Sequence, residues 1–403
     1  MFIFIKAAQN NENRQLHTRS HLFKAMEIKN CIHARFSHET HSNQIINLEQ
    51  KKSVAHRNSL LDLIKVAASI GVISAHVHSD TAAAESLSHF FSPVRVPFLY
   101  ITALAFFISN IHKKSSADND AGIQDTLVKI GKRIVLPFLV WSAVYVLLIT
   151  LKSLITGVAN PHAFDLGKVL LYGDSAEHLY FLPQLLVMEL IGLGIYLLAD
   201  KNNQNKGLIV LSVAAIYLIW GYEHKYYGMT PLPSLIAYTV MAFYLGSKIK
   251  KRQTHWGYAV LGAALLVLAI SASFVSYPKI FAQYFLALPI GGFGLLLLTL
   301  NIPRLELPSW LITLSSVSYG VYLGHVMVLE GLEFVIAKAH ISMRYDLATK
   351  ALVTLVVFLI STILVLVLRK IPVLKELFLG ESTPKASVAT VTYRIPEYRR
   401  VAA

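Results

Sequence analysis

Residues 134–151 read IVLPFLVWSAVYVLLITL, and none of these side chains is Lys, Arg, Asp or Glu. A helix crosses the hydrocarbon core of a bilayer in roughly 17–25 mostly apolar residues, so this stretch is long enough to span a membrane. Other parts of the chain have the same character. Runs without any of the four charged residue types also occupy residues 96–111, 207–222, 226–247, 253–278, 280–303, 307–324 and 351–368.

The composition separates this chain from soluble proteins. Apolar residues make up 55% of the 403 residues, Asp, Glu, Lys and Arg together make up 15%, and the mean hydropathy is +0.53. Soluble domains carry about 25% charged residues. The net charge of +14 fits basic cytoplasmic loops and anionic lipid headgroups, so we expect no nucleic-acid partner. The single cysteine excludes an internal disulfide framework and a multi-cysteine zinc site.

We predict an all-α fold, a polytopic helical membrane protein with about ten transmembrane helices. The inner connecting loops carry more Lys and Arg than the outer ones when the N-terminus is cytoplasmic, which favours that orientation. The predicted domains are a polar cytoplasmic N-terminal tail (1–56), a membrane-embedded domain (57–372) and a cytoplasmic C-terminal tail (373–403). The predicted spans are 59–78, 94–111, 133–155, 180–199, 207–222, 231–247, 256–276, 281–301, 310–336 and 350–369.

The first predicted span reads SLLDLIKVAASIGVISAHVH and carries ionisable side chains inside an apolar helix. Such groups are costly in a membrane and usually face a bundle interior, a cavity or a transport path. Asp62 and Lys65 are three residues apart, so they share a helix face and can neutralise one another. Lys65 and His76 also share a face, separated by roughly 16 Å along the helix axis. His78 lies about 200° around the helix from His76 and is expected at the rim.

This arrangement suits the transfer of a chemical group from a cytoplasmic donor to an external acceptor. Lys65 would meet the charge of an anionic donor, Asp62 would hold Lys65, and His76 would accept a proton because imidazole titrates near neutral pH. The same spacing fits a structural ion pair at the inner interface and a histidine near the headgroups. A multi-span transporter or flippase of a glycan or small anionic solute is a further alternative, although no internal repeat supports it.

Five motifs follow one another along the chain. They are Arg57-x4-Asp62-x2-Lys65-x10-His76; Val96-Pro97-Phe98; Lys132-Arg133 followed by Pro137-Phe138 and Trp141; His178-Leu179-Tyr180-Phe181-Leu182-Pro183; and Ser318-Tyr319-Gly320-Val321-Tyr322-Leu323-Gly324-His325. In this order they resemble motifs of the acyltransferase-3 family, the integral-membrane carbohydrate O-acyltransferases, over roughly residues 55–372. The chain departs from the family before the third span, where a paired-arginine motif is replaced by Lys129-x2-Lys132 with Arg133 adjacent. Tyr180 also replaces the commoner Trp.

The resemblance implies transfer of an acyl group, most often acetyl from acetyl-CoA, to a hydroxyl of a cell-surface polysaccharide or lipid-linked glycan. It places the protein in the bacterial inner membrane and gives catalytic roles to His76, Lys65 and Asp62. The histidine would act as general base or as transient acyl carrier, and either role needs a neighbour that fixes its tautomer. Succinyl transfer is a variant that the sequence does not separate. The implied partners are acyl-CoA, the glycan acceptor and membrane lipids.

Basic residues at the inner mouth are candidates for binding the phosphates of CoA. Positive-inside anchoring explains each of them as well. These candidates are Lys129, Lys132 and Arg133.

Three residues on the outer side are candidates for contacting the acceptor: His178, Tyr180 and His325. For His325, a helix–helix contact is the alternative. The acids Asp165, Asp174 and Glu177 of the same outer loop are explained by solvation and are not assigned to the site. No metal is expected, because Cys31-x-His33-x4-His38-x2-His41 fits no established zinc spacing.

Overall fold

The computed structural model describes residues 58–114, 119–157, 165–200, 203–223, 232–249, 255–274, 287–303 and 306–382. These residues are helical and contain no strand, which confirms the all-α prediction. A five-residue π-helical turn, Gly131–Val135, joins the helix that ends at Ile130 to the helix that begins at Leu136. The helices are α1 Ser59–His76, α2 Ala82–Phe91, α3 Val96–Lys114, α4 Asn119–Ile130, α5 Leu136–Thr156, α6 Leu166–Tyr172, α7 Phe181–Ala199, α8 Gln204–Glu223, α9 Leu232–Ile249, α10 Trp256–Ser273, α11 Leu288–Asn301, α12 Ser309–Lys338, α13 Leu347–Lys370 and α14 Pro372–Leu379.

Many of the helices are long enough to span a membrane. Nine helical segments within the described ranges are long and apolar enough to cross a bilayer. This finding confirms a polytopic membrane protein. The predicted span 281–301 corresponds to α11, an apolar helix whose described part has 14 residues.

Helix α1 lies inside the bundle. Leu61 and Val72 belong to the main apolar core, which also includes residues of α3 and α12. Val66 and Ile73 pack into a second cluster with α12 and α13. Because α1 is enclosed by protein, its polar side chains are shielded from the lipid tails, where they would be costly.

The apolar surface of the periphery faces outward. Helix α8 exposes Leu208, Ile216 and Ile219, and helix α10 exposes Val260 and Val267. Exposed apolar side chains on a helix of spanning length are expected to contact lipid. These two helices therefore form part of the lipid boundary.

The C-terminal end of α1 is tied to α2 and α13 by a buried ammonium group. Lys350, in the first turn of α13, is fully buried and donates to Ser79 Oγ at 2.6 Å and to Ser88 Oγ at 2.8 Å. Ser88, on α2, donates in turn to the carbonyl of Ser74 at 3.0 Å. The last turn of α1 is thereby fixed from two sides.

Candidate active site

Three histidine side chains from separate elements meet at the C-terminal end of α1. His76 ends α1, His178 lies in the turn before α7, and His325 lies midway along α12. The ring centroid of His76 is 5.2 Å from that of His325 and 6.2 Å from that of His178. His178 and His325 are 4.8 Å apart. These three residues, predicted as separate candidates, form one cluster of rings, which we call the histidine pocket.

A carboxylate lies beside the half-buried ring of His76. Glu177 Oε2 is 3.5 Å from His76 Nδ1, and the Glu177 side chain is 71% exposed. A hydrogen bond with His76 lowers the pKa of the Glu177 carboxyl, although partial burial opposes the shift. With its Nδ1 proton directed at the carboxylate, neutral His76 keeps Nε2 free as a proton acceptor. Glu177 is thus the neighbour that can fix the tautomer of His76.

Backbone carbonyls orient the two buried histidines. His325 Nδ1 is 2.7 Å from the carbonyl of Tyr322, and His178 Nε2 is 3.2 Å from the carbonyl of Leu323. A carbonyl only accepts, so each of these nitrogens carries the proton. Burial, and then the charge of His76, lowers the pKa of His178 to about 3. His178 is therefore neutral at physiological pH.

The carbonyl that binds His178 is also the acceptor of a tyrosine hydroxyl that contacts the backbone of helix α12. Tyr145 of α5 donates its hydroxyl to the Leu323 carbonyl at 2.9 Å and accepts from the Met327 N–H at 3.3 Å. In a regular helix those two backbone groups bond to each other. A side chain inserted into this ladder is a recognised cause of local bending. Leu323 thus presents its oxygen to both Tyr145 and His178.

The N-terminal end of α1 carries the predicted acid–base pair. Asp62 is 2% exposed. Its Oδ1 accepts from Ser315 Oγ at 2.6 Å and lies 3.8 Å from Lys65 Nζ. The Lys65 side chain is 37% exposed. Asp62 is therefore anchored to α12 by Ser315. Lys65 lies beside Asp62 and is partly exposed to solvent.

Two of the three basic residues predicted to bind CoA phosphates make ion pairs. Lys129 Nζ is 3.0 Å from Asp125, and Lys132 Nζ is 2.9 Å from Glu376 of α14. Both pairs are solvent-accessible, where such contacts are weak and exchange readily with other anions.

Arg133 faces a different environment from Lys132, although the two are adjacent. It interacts electrostatically with Glu189 of α7 and Tyr319 of α12. The Tyr319 hydroxyl donates to the Arg133 carbonyl at 2.9 Å. Both basic residues belong to the π-helical turn, a geometry frequent at functional sites. Arg133 thus turns toward the bundle, and Lys132 toward α14.

Tyr180 adjoins the histidine pocket through a neighbour. It is half-buried and interacts electrostatically with Tyr322. The Tyr322 hydroxyl donates to the backbone carbonyl of His178 at 2.5 Å, and its ring lies 5.5 Å from the His178 ring. Tyr322 therefore fixes both the backbone and the ring of His178.

Sequence reasoning assigned Glu177 to solvated loop and did not consider Tyr145. The only local signal for Glu177 is its position directly before His178. Tyr145 gives no signal, because an aromatic residue within an apolar span is ordinary packing material. The cysteine–histidine segment 31–41 lies outside the described residues. Within the described part, no group of three His, Cys, Asp or Glu side chains is placed to hold a metal ion.

Comparison with known families agrees with the motifs. The sequence matches the acyltransferase domain of the acyltransferase-3 family over residues 58–370, which is most of the chain and includes the histidine pocket and both ends of α1. No curated protein and no solved structure matches it. On the strength of that match, this chain belongs to the acyltransferase-3 family and is a multi-pass membrane acyltransferase.

Proposed function

We propose that this acyltransferase moves an acetyl group from cytoplasmic acetyl-CoA to a hydroxyl of a cell-surface polysaccharide or lipid-linked glycan. Its location is the bacterial inner membrane, with the N-terminus in the cytoplasm. The observation that carries the proposal is the pairing of His76 Nδ1 with Glu177 at 3.5 Å in the outer half of the bundle. This pairing leaves Nε2 as a base for a hydroxyl that arrives from outside.

The general-base route balances without any further reactant. The hydroxyl proton passes to His76 Nε2 while its oxygen attacks the thioester carbonyl, so a C–O bond forms and the C–S bond breaks. The departing thiolate then takes the proton from the imidazolium. Glu177 stabilises the imidazolium that exists between these two transfers. In the alternative route, Nε2 itself attacks the thioester carbonyl, and the C–S bond breaks to release the CoA thiolate. The hydroxyl oxygen then attacks the acyl carbon, the C–N bond to the ring breaks, and the hydroxyl proton passes to the thiolate.

The donor is expected at the opposite end of α1. Lys65 lies roughly 16 Å along the helix axis from His76, and its partial exposure leaves it accessible to phosphate. Lys132 and Lys129 offer further ammonium groups near this end of the bundle, and each pairs with a solvent-accessible carboxylate that an incoming phosphate could replace. CoA phosphates at this mouth would direct the thioester along α1 toward His76.

The test uses purified protein in liposomes supplied with radiolabelled acetyl-CoA and a glycan extract. We expect label on the glycan with wild type and none with His76→Ala. His89→Ala is the matched control, because His89 also lies at the outer side beside an exposed glutamate, Glu85, at 3.4 Å. Equal labelling by wild type and His76→Ala would refute the role of His76. Labelling only with succinyl-CoA would refute the acetyl donor.

The two routes are separated by omitting the acceptor. If the histidine carries the acyl group, labelled acetyl-CoA alone labels wild-type protein and not His76→Ala. If it acts only as a base, neither protein is labelled under these conditions.

A further inference from the structure

The histidine pocket contains two ring nitrogens that have no hydrogen-bond partner within the described part of the chain. They are His178 Nδ1 and His325 Nε2. Both side chains are almost completely buried, at 2% and 0% exposure. A buried polar atom without a partner is destabilising, so two neighbouring ones require an explanation.

The chemical character of both atoms is fixed by the opposite nitrogen of each ring. His325 Nδ1 and His178 Nε2 donate to backbone carbonyls. In a neutral imidazole the second nitrogen is then an acceptor. The unpartnered atoms are therefore both acceptors, and they cannot satisfy one another. His76 Nε2 is a third acceptor when the Nδ1 proton of His76 faces Glu177.

Three acceptors select against most ligands. An oxyanion or a carboxylate offers only acceptors and would be repelled. A metal ion would satisfy lone pairs, but no three such side chains in the described ranges are placed to share one. What remains is a neutral group that brings its own protons. Water and a hydroxyl both qualify, and a hydroxyl is the group that the acceptor delivers to His76.

We propose that the acceptor presents two neighbouring hydroxyl groups to this pocket, one to His76 Nε2 and the other to His325 Nε2. The ring of His325 is the nearer of the two buried rings to His76, at 5.2 Å against 6.2 Å. The proposal rests on the proposed function and adds to it the class of acceptor, a vicinal diol.

The two hydroxyls differ in what happens to their protons. The first gives its proton to His76 Nε2 as its oxygen attacks the thioester, as described above. The second keeps its proton and donates it to His325 Nε2 throughout. After transfer the product is a monoester that still carries the second hydroxyl, so no further reactant is needed.

The experiment compares two small probes with the purified full-length protein in detergent. cis-1,2-Cyclohexanediol carries both hydroxyls, and cyclohexanol carries one on the same ring. Dissociation constants are taken from the rise in melting temperature with ligand concentration, without acyl donor. We expect the diol to bind about tenfold more tightly, as the gain of one hydrogen bond to a buried acceptor implies.

His325→Asn is the decisive variant. The Asn amide nitrogen replaces Nδ1 and keeps a donor for the Tyr322 carbonyl, and Nε2 is removed. We expect the preference for diol over mono-ol to fall to about one. The control variant His89→Asn, on α2, is expected to keep the tenfold preference.

Two results would overturn the proposal. One is equal binding of the two probes by wild type, and the other is an unchanged preference in His325→Asn. Neither result depends on acyl transfer. Failure of the proposed function would appear instead as absence of label on the glycan in the liposome assay, with the diol preference intact.

Discussion

The contact between His76 and Glu177 makes a quantitative prediction for Glu177→Gln. The substitution keeps the size of the side chain and removes its charge. At 3.5 Å, a unit charge stabilises an imidazolium by about 1.2 kcal/mol in a medium with the dielectric constant of water. The water value applies because 71% of the Glu177 side chain is exposed. This energy corresponds to about an eightfold fall in kcat if the imidazolium forms in the transition state.

The assay is acetyl transfer at saturating acetyl-CoA, with kcat and the acceptor KM measured separately. The matched control is Glu85→Gln, since Glu85 stands 3.4 Å from His89 and is similarly exposed. We expect the control to keep wild-type kcat. A wild-type kcat in Glu177→Gln would refute the argument, as would an equal fall in both variants.

Four further results are expected. Tyr145→Phe should lower kcat several-fold with little change in KM, because the α12 ladder closes and the Leu323 carbonyl turns away from the histidine pocket. Lys350→Met should lower the free energy of unfolding by about 1–2 kcal/mol in thermal denaturation, since buried serine hydroxyls lose their ammonium partner. Lys65→Ala should raise the KM for acetyl-CoA about tenfold and leave the acceptor KM unchanged. The melting temperature of wild type should exceed that of Glu177→Gln at neutral pH, and the gap should close below the ordinary carboxyl pKa of 4.5, in a pH series of melting curves.

The sign of the pH effect follows from the lowered pKa of Glu177. A carboxyl with a lowered folded-state pKa stabilises the fold above its unfolded pKa, and the effect disappears as pH falls through the folded value. A gap that widened on acidification would contradict this. Lys338→Met, at an exposed position on α12, is the control for Lys350→Met. Equal loss of stability in both would remove the special role of the buried lysine. For Lys65→Ala, a rise in the acceptor KM would count against a role of Lys65 in binding the donor. For Tyr145→Phe, an unchanged kcat together with an unchanged melting temperature would count against a role of the Tyr145 hydroxyl in positioning the Leu323 carbonyl.

The helices were predictable because they depend on local sequence. Apolar length determines which segments span a bilayer, and the spacing of Asp62, Lys65 and His76 determines which side chains share a face of α1. The motifs also identified the family, and the profile match confirms that identification.

The partners of the site were not predictable, because they depend on how distant segments pack. Glu177 is exposed in a turn, and nothing in its sequence context indicates that it lies near His76. The same is true of Lys132, whose ammonium group meets Glu376 at the other end of the domain. The orientation of His178 depends on the Leu323 carbonyl, which also accepts a hydrogen bond from a tyrosine of a third helix.

That inserted tyrosine gives helix α5 two attachments one turn apart. Trp141 donates its indole N–H to the Phe378 carbonyl of α14, and Tyr145 holds α12 next to the histidine pocket. Lys132, which pairs with α14, lies in the π-helical turn that leads into α5. A donor that displaced Glu376 from Lys132 would remove one polar contact between α14 and the segment that carries Trp141 and Tyr145. Any tilt of α5 that followed would shift the Leu323 oxygen on which His178 depends, so occupancy of the inner mouth and alignment of the outer pocket would be mechanically linked.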